Sequence, residues 1–132
     1  MAAKTVLVAD DNADNRAVYV MILEHIGYRV VEAEDGAQAV DVAQAERPDL
    51  ILMDLQMPKV TGFQATERLK ADPSMADTPI IAVTALAMDG DRDMAFAVGC
   101  DAYFAKPLEP RMLAAEVTRR IGEPMADTPV GA

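Results

Sequence analysis

Short apolar runs of strand length recur along the chain at residues 6–9, 29–33, 50–53, 80–83 and 102–105. Segments with helical spacing lie between them. Val18, Met21, Ile22 and Ile26 fall at i, i+3, i+4 and i+8 and predict one apolar helical stripe, with Asn12 or Asp14 as its cap and Gly27 as its end. A second helix is expected over 37–46, stopped before Pro48, and a third over 63–71, broken by Asp72-Pro73. A fourth, weaker one covers 89–98 with Gly99 as its stop. The last carries Leu113, Val117 and Ile121 at i+4 spacing, with Pro110 tolerated in its first turn.

Strand and helix therefore alternate five times with short connections. That alternation implies an α/β fold, a parallel sheet covered by helices on both faces through right-handed crossovers. Runs 6–9 and 50–53 are almost wholly apolar, as strands buried on both faces are. Periodicity stops after Ile121, so the expected organisation is one domain over 1–121 and a flexible tail or linker stub over 122–132. The pentapeptide M-A-D-T-P occurs at 75–79 and again at 125–129; both copies are loop-like and too short for a structural repeat, so the recurrence reads as coincidence.

Composition narrows the class. With 132 residues the chain can bury a core without staples, and at 52% hydrophobic but 5% aromatic that core is aliphatic, helped by nine methionines expected mostly inside. Met88 and Met94 are the exceptions, placed on an exposed partner-binding face. Lys and Arg number 12 against 22 Asp and Glu, a formal charge of -10 with no basic cluster, so neither nucleic acid nor an anionic membrane is an expected partner. The one cysteine, Cys100, excludes an internal disulfide and reads as a small buried filler. No apolar run reaches membrane-spanning length and no signal peptide is apparent, which points to the cytoplasm.

The chemistry gathers at strand ends. In D49-L-I-L-M-D-L-Q-M-P58 the carboxylate of Asp54 closes a buried run, where charge is costly. In an open parallel sheet, ligands bind beyond the carboxyl ends of strands, where the strand order reverses. Those ends carry Asp10-Asp11, Asp54, Thr84 and Lys106-Pro107, whereas Glu32, Ala33 and Glu34 add nothing distinctive. If the first and third strands are neighbours, Asp10, Asp11 and Asp54 converge. Carboxylates that close cannot all stay ionised without a cation, and an all-oxygen set suits Mg²⁺ better than Ca²⁺. A divalent ion beside a lysine is also what a phosphoryl group requires, and a carboxylate can serve as its nucleophile. Each piece has an ordinary reading: an acid pair caps helices, Lys-Pro makes turns, and a terminal Thr fills space. Their ordered recurrence on successive strand ends marks a site.

The stretches L-V-A-D-D-N, D-L-I-L-M-D-L-Q-M-P followed by T-G, I-I-A-V-T-A-L and Y-F-A-K-P resemble a receiver (response regulator) domain of two-component phosphorelays, over about residues 4–121. The resemblance implies a flavodoxin-like, doubly wound (βα)5 fold with strand order 2-1-3-4-5. It implies a single-domain switch that catalyses only its own phosphorylation and dephosphorylation. Asp54 would be the phosphoacceptor. Asp11 would bind Mg²⁺ (or Mn²⁺) directly, Asp10 mainly through water, and Gln56 through its backbone carbonyl. Lys106, before a cis bond to Pro107, would pair with the phosphoryl oxygens. Thr84 would swing its hydroxyl onto that group and Tyr103 would turn inward behind it, altering the face of the fourth helix, fifth strand and fifth helix. Gln56 and Leu86 would flank the path of attacking water, and an apolar Leu86 should prolong the phosphoryl state.

The expected partners are a histidine kinase or histidine phosphotransfer protein and a downstream protein target, with the chain a monomer or a weak phosphorylation-dependent dimer. Two rival readings remain, an aspartyl phosphohydrolase and a constitutive scaffold. The first would want an acid where Gln56 stands. Strand alternation places Tyr103 near a surface groove and Phe104 in the core. His25 is expected to pack on its apolar stripe rather than carry phosphate. Asp89, Asp91 and Asp93 either complement the fourth helix dipole or serve partner electrostatics.

Overall fold

Burial along the strands already orders the sheet. In the computed structural model, which describes residues 3–85 and 89–124, β1 (Thr5–Ala9), β3 (Leu50–Met53) and β4 (Ile80–Thr84) are buried throughout. By contrast β2 (Arg29–Ala33) and β5 (Ala102–Ala105) are largely half-exposed, as edges are. The five strands pair in parallel in the order β2-β1-β3-β4-β5. Five helices connect and follow them: α1 (Ala13–Ile26), α2 (Gly36–Glu46), α3 (Gly62–Ala71), α4 (Asp89–Ala97) and α5 (Pro110–Ile121).

Alternate side chains serve opposite faces. Leu7, Ala9, Ile51 and Met53 pack with Ala39, Ala65, Leu69 and Ala95 on one side. On the other, Val6, Val8, Leu52 and Val83 pack with Leu23, Leu113 and Val117. Tyr103 belongs to the first layer and Phe104 to the second, so the expected alternation holds. Phe104 is half-buried rather than fully internal, because β5 is an edge strand.

The register levels the carboxyl ends. Ala9 sits beside both Ala33 and Met53, and Thr84 beside Ala105. Backbone bonds continue one rung further: Asp10 N donates to Ala33 O at 3.0 Å, Asp54 N to Ala9 O at 2.9 Å and Lys106 N to Thr84 O at 2.9 Å. Three side chains at that edge are thus placed by the sheet itself.

Two expectations need correction. The buried face of α1 is not the stripe of Val18 and Met21, which are exposed; it is Tyr19 and Leu23, flanked by half-buried Ile22 and Ile26. The helix is turned by about one residue because Tyr19 buries its ring and brings its hydroxyl to the Leu108 backbone, so an aromatic with a polar tip does the work of an aliphatic. The methionines also divide more evenly than expected: Met53, Met57 and Met75 are internal and Met94 is exposed, as expected, but Met21 and Met112 are exposed too. Met88 lies outside the described residues.

Residues 122–124 also pack onto the body past the expected boundary. Tyr28 Oη donates to Gly122 O at 2.6 Å, Lys4 N donates to Pro124 O at 2.7 Å, and Pro124 is buried. The first residues of the expected tail are therefore part of the packed body.

The turned α1 face gives a direct test. Leu23→Ala is expected to cost about 2–5 kcal/mol in urea unfolding, the usual range for a filled core position, while Met21→Ala, 64% exposed, is expected to change stability by less than about 0.5 kcal/mol. Equal costs would restore the Val18–Met21 stripe as the buried one.

Candidate functional site

Asp10 and Asp54 end adjacent central strands with side chains almost out of solvent, and both need partners. Each has two. Asp10 accepts Asn12 N on Oδ1 at 2.9 Å and Lys106 Nζ on Oδ2 at 2.8 Å. Asp54 accepts Gln56 N on Oδ1 at 2.9 Å and the same Lys106 Nζ on Oδ2 at 2.9 Å. One ammonium therefore serves two buried acids. Asp11 is exposed beside them, and one carboxylate oxygen from each of Asp10, Asp11 and Asp54 lies within 4.8 Å of the others.

That sharing sets the electrostatics. Burial pushes the Asp54 carboxyl above its ordinary value, with the Lys106 and Gln56 bonds only partly offsetting it and Asp10 adding repulsion. Burial acts to lower Lys106, but the two carboxylates outweigh it and hold its proton more tightly than usual. The site carries more negative than positive charge, all on hard oxygen donors. With Asp11 open to solvent, such a set fits a Mg²⁺-type ion that keeps several waters.

The loops are shaped by close backbone approaches. A Cβ at Gly62 would stand 2.1 Å from Asp54 O, so only glycine lets α3 begin against the Asp54 backbone. Thr61 caps that helix in a reciprocal box with Gln64. The Lys106–Pro107 peptide bond is cis, as expected. Thr84 is buried at the end of β4. Tyr103 is half-buried towards α4, its hydroxyl pushed up by burial and by Asp91, against Arg92. Leu86 lies outside the described residues.

Two neighbours escaped the sequence reading. Tyr19 lies beneath Asp10 and Asp54 and borders, with Asn15, Val18, Lys106 and Pro107, a depression of about 340 Å³ at the mouth of the site. Its i+4 spacing to Leu23 was the available signal. Arg16 donates from Nη1 to Asp10 O at 2.8 Å and from Nε to Glu32 Oε1 at 2.9 Å, tying α1 to the ends of β1 and β2. The end of β2, which had read as undistinctive, thus anchors that arginine. His25 is exposed and far along α1 from this cluster, and Cys100 is buried, its thiol pushed up to about 11 by desolvation.

A 2-1-3-4-5 parallel sheet bearing clustered acids and a lysine on its carboxyl edge is a flavodoxin-like fold with its candidate site where ligands of such sheets bind. The chain belongs to the response regulator receiver domain family, whose sequence profile matches residues 6–118. Members of this family are phosphorylation-dependent switches of two-component signalling. Among similar proteins, the polar-differentiation response regulator DivK of Brucella anthropi is 41% identical over 111 residues, covering 83% of this chain and 90% of its own. The chemotaxis protein CheY4 of Vibrio cholerae superposes with a TM-score of 0.85 at 31% identity, covering 90% of this chain and 99% of that one. The receiver domain of sensor histidine kinase PA1611 from Pseudomonas aeruginosa, solved with a magnesium ion coordinated in its active site cleft, has a TM-score of 0.85 at 38% identity, covering 92% and 100%. Among the described residues, no helix is long and apolar enough to cross a membrane.

The Asp54 shift fixes a sign. Because the folded pKa is raised, the stability that Asp54 contributes is complete below the ordinary carboxylate value and is lost as pH rises through the raised one. Asp54→Asn has no such proton to lose. In metal-free buffer it is expected to be more stable than wild type near neutral pH, with the gap closing in acid. Parallel urea stability curves across that pH range would contradict the assignment.

Proposed function

We propose that Asp54 accepts a phosphoryl group from a phosphohistidine on a kinase or phosphotransfer protein, and that the changed surface is read by a downstream protein. The observation that carries this reading is the buried Asp54 carboxylate held 2.9 Å from an ammonium that it shares with Asp10. An Asp54 oxygen attacks phosphorus as the P–N bond breaks, the electron pair staying with the imidazole. Asp11, Asp54 and the Gln56 carbonyl, with Asp10 through water, would hold a Mg²⁺ or Mn²⁺ ion, which would supply charge stabilisation to the phosphoryl oxygens.

Lys106 keeps its proton because of its two acidic neighbours, so it remains a full charge for the transferring oxygens. Phosphorylation replaces a single negative charge with roughly -1.5 to -2. Lys106 and the Thr84 hydroxyl then bond the phosphoryl oxygens, and Tyr103 turns into the space behind Thr84. Thr84 and Tyr103 lie on adjacent paired strands, so this movement reaches the α4, β5 and α5 face directly. A bias of a few kcal/mol between two packings is enough for such a switch. By the family pattern Gln56 and Leu86 would govern access of the attacking water, and an apolar residue at 86 is expected to make the aspartyl phosphate slow to hydrolyse. The reading also implies a cytoplasmic location, and a monomer or a weak phosphorylation-dependent dimer.

Intact mass after incubation with acetyl phosphate and Mg²⁺ is expected to show one added phosphoryl group on wild type and none on Asp54→Asn. An adduct that persists in the variant would overturn the assignment. Once the donor is removed, the adduct is expected to outlast a timescale of seconds; decay within seconds would contradict the role given to Leu86.

A further inference from the structure

The chain leaves the sheet at Asp10. Its amide still donates to Ala33 O at 3.0 Å, but its carbonyl finds a partner on a helix, accepting from Arg16 Nη1 at 2.8 Å. The turn between them is closed by Asn12 N on Asp10 Oδ1, and Asn12 then caps α1 by accepting Asn15 N at 2.9 Å. Arg16 N donates to Asn12 O at 3.0 Å. Arg16 therefore stands one turn into α1, and its side chain comes back over the loop that leads into the helix.

What that return grips is the Asp10–Asp11 peptide. The Asp10 carboxylate is buried and bonded to Lys106, so it keeps its place by other means. Asp11 is exposed and is not held by packing, so the direction of its side chain follows from its backbone. An Asp11 oxygen lies within 4.8 Å of one from each of Asp10 and Asp54. Rotating the peptide before Asp11 would swing that oxygen away from the other two.

A guanidinium beside a cation site has a cost, because its charge opposes the incoming ion. The end of β2 offsets it. Arg16 Nε donates to Glu32 Oε1 at 2.9 Å, and Nη2 lies 3.9 Å from Glu34 Oε2. The Arg16 side chain is only 15% exposed, so water screens this pairing little. The planar fork of arginine donates to a carbonyl and a carboxylate at once, whereas a lysine ammonium at this position would be a single point charge. Paired in this way, Arg16 contributes geometry with little net field.

We propose that Arg16 is a positioning residue for the cation site: it fixes the Asp10–Asp11 peptide so that Asp11 faces Asp54, while Glu32 offsets its charge. The inference rests on the cation binding proposed above, and is independent of which donor supplies the phosphoryl group. It gives the half-exposed edge strand β2 a part in the site, through Glu32, that its own strand end does not supply directly.

The test titrates the full chain with Mg²⁺ and follows ¹H–¹⁵N spectra of wild type, Arg16→Lys, Glu32→Gln and Glu46→Gln. Arg16→Lys keeps the charge and loses the fork. It is expected to shift the Asp11 and Asn12 amide signals before any metal is added, and to weaken Mg²⁺ binding about tenfold, a usual scale for a group that orients a metal ligand. Phosphorylation by acetyl phosphate is then expected to need more Mg²⁺ for its half-maximal rate, with the rate at saturating Mg²⁺ little changed. In Glu32→Gln the amide oxygen still accepts the Arg16 Nε–H, so the metal-free Asp11 signal is expected to stay in place while Mg²⁺ affinity falls severalfold. Glu46→Gln makes the same charge change where Glu46 pairs with Arg29, the first residue of β2, and is expected to leave the affinity unchanged. Unmoved Asp11 and Asn12 amides in metal-free Arg16→Lys, or an equal loss of affinity in Glu46→Gln, would overturn the inference alone. A wild type that binds no Mg²⁺ would instead overturn the cation reading on which it rests.

Discussion

One ammonium between two buried carboxylates is the interaction around which the carboxyl edge is organised. Lys106 Nζ lies 2.8 Å from Asp10 and 2.9 Å from Asp54, giving each of these almost fully buried acids a charged partner. A single positive charge cannot satisfy both acids and Asp11 as well. The excess negative charge makes the edge a place where a cation, or a phosphoryl group accompanied by one, is favoured. Burial, with Asp10 repulsion added to it, holds the Asp54 carboxyl above its ordinary value in the folded protein. Breaking such a group by removing its one cation would be far costlier than never having built it.

The pair needs the strand register. Ala9 is level with Met53, and Thr84 with Ala105, so the next residues along emerge on one edge at nearly one height. The backbone ladder then holds Asp10, Asp54 and Lys106 through their amides, independent of their side chains. Glycine at 62 allows the backbone after Asp54 to lie directly on the start of α3, and glycine at 36 allows the Val60 backbone to lie on α2, since a Cβ there would come within 1.9 Å of Val60 O. Packing geometry and site geometry are thus the same constraint. Arg16 extends it outwards by tying the Asp10 backbone to Glu32 on the edge strand.

Much of this was legible along the chain. The apolar runs located the strands within a residue, because buried strands tolerate little else and short turns punctuate them. Asp10, Asp11, Asp54 and Lys106 stood out because each follows such a run. The face of α1 was misread because Tyr19 looks polar in a hydrophobicity pattern while its ring packs as core. That error also hid Tyr19 as the wall beneath the two acids. Arg16 and Glu32 were unreadable for another reason: their bond joins positions on different elements, and nothing in either local sequence announces the other.

The sequence by itself determined the alternation of strands and helices, the acids and lysine at the strand ends, and the family to which they belong. These depend on local spacing and on residue chemistry, which a linear reading contains. Only the tertiary structure decided which face of α1 is buried, that one lysine bridges two aspartates, and that Pro124 packs back against Lys4 and Gly27. Those outcomes turn on distances between residues far apart in sequence. They exist only once the sheet order and register have brought the elements together.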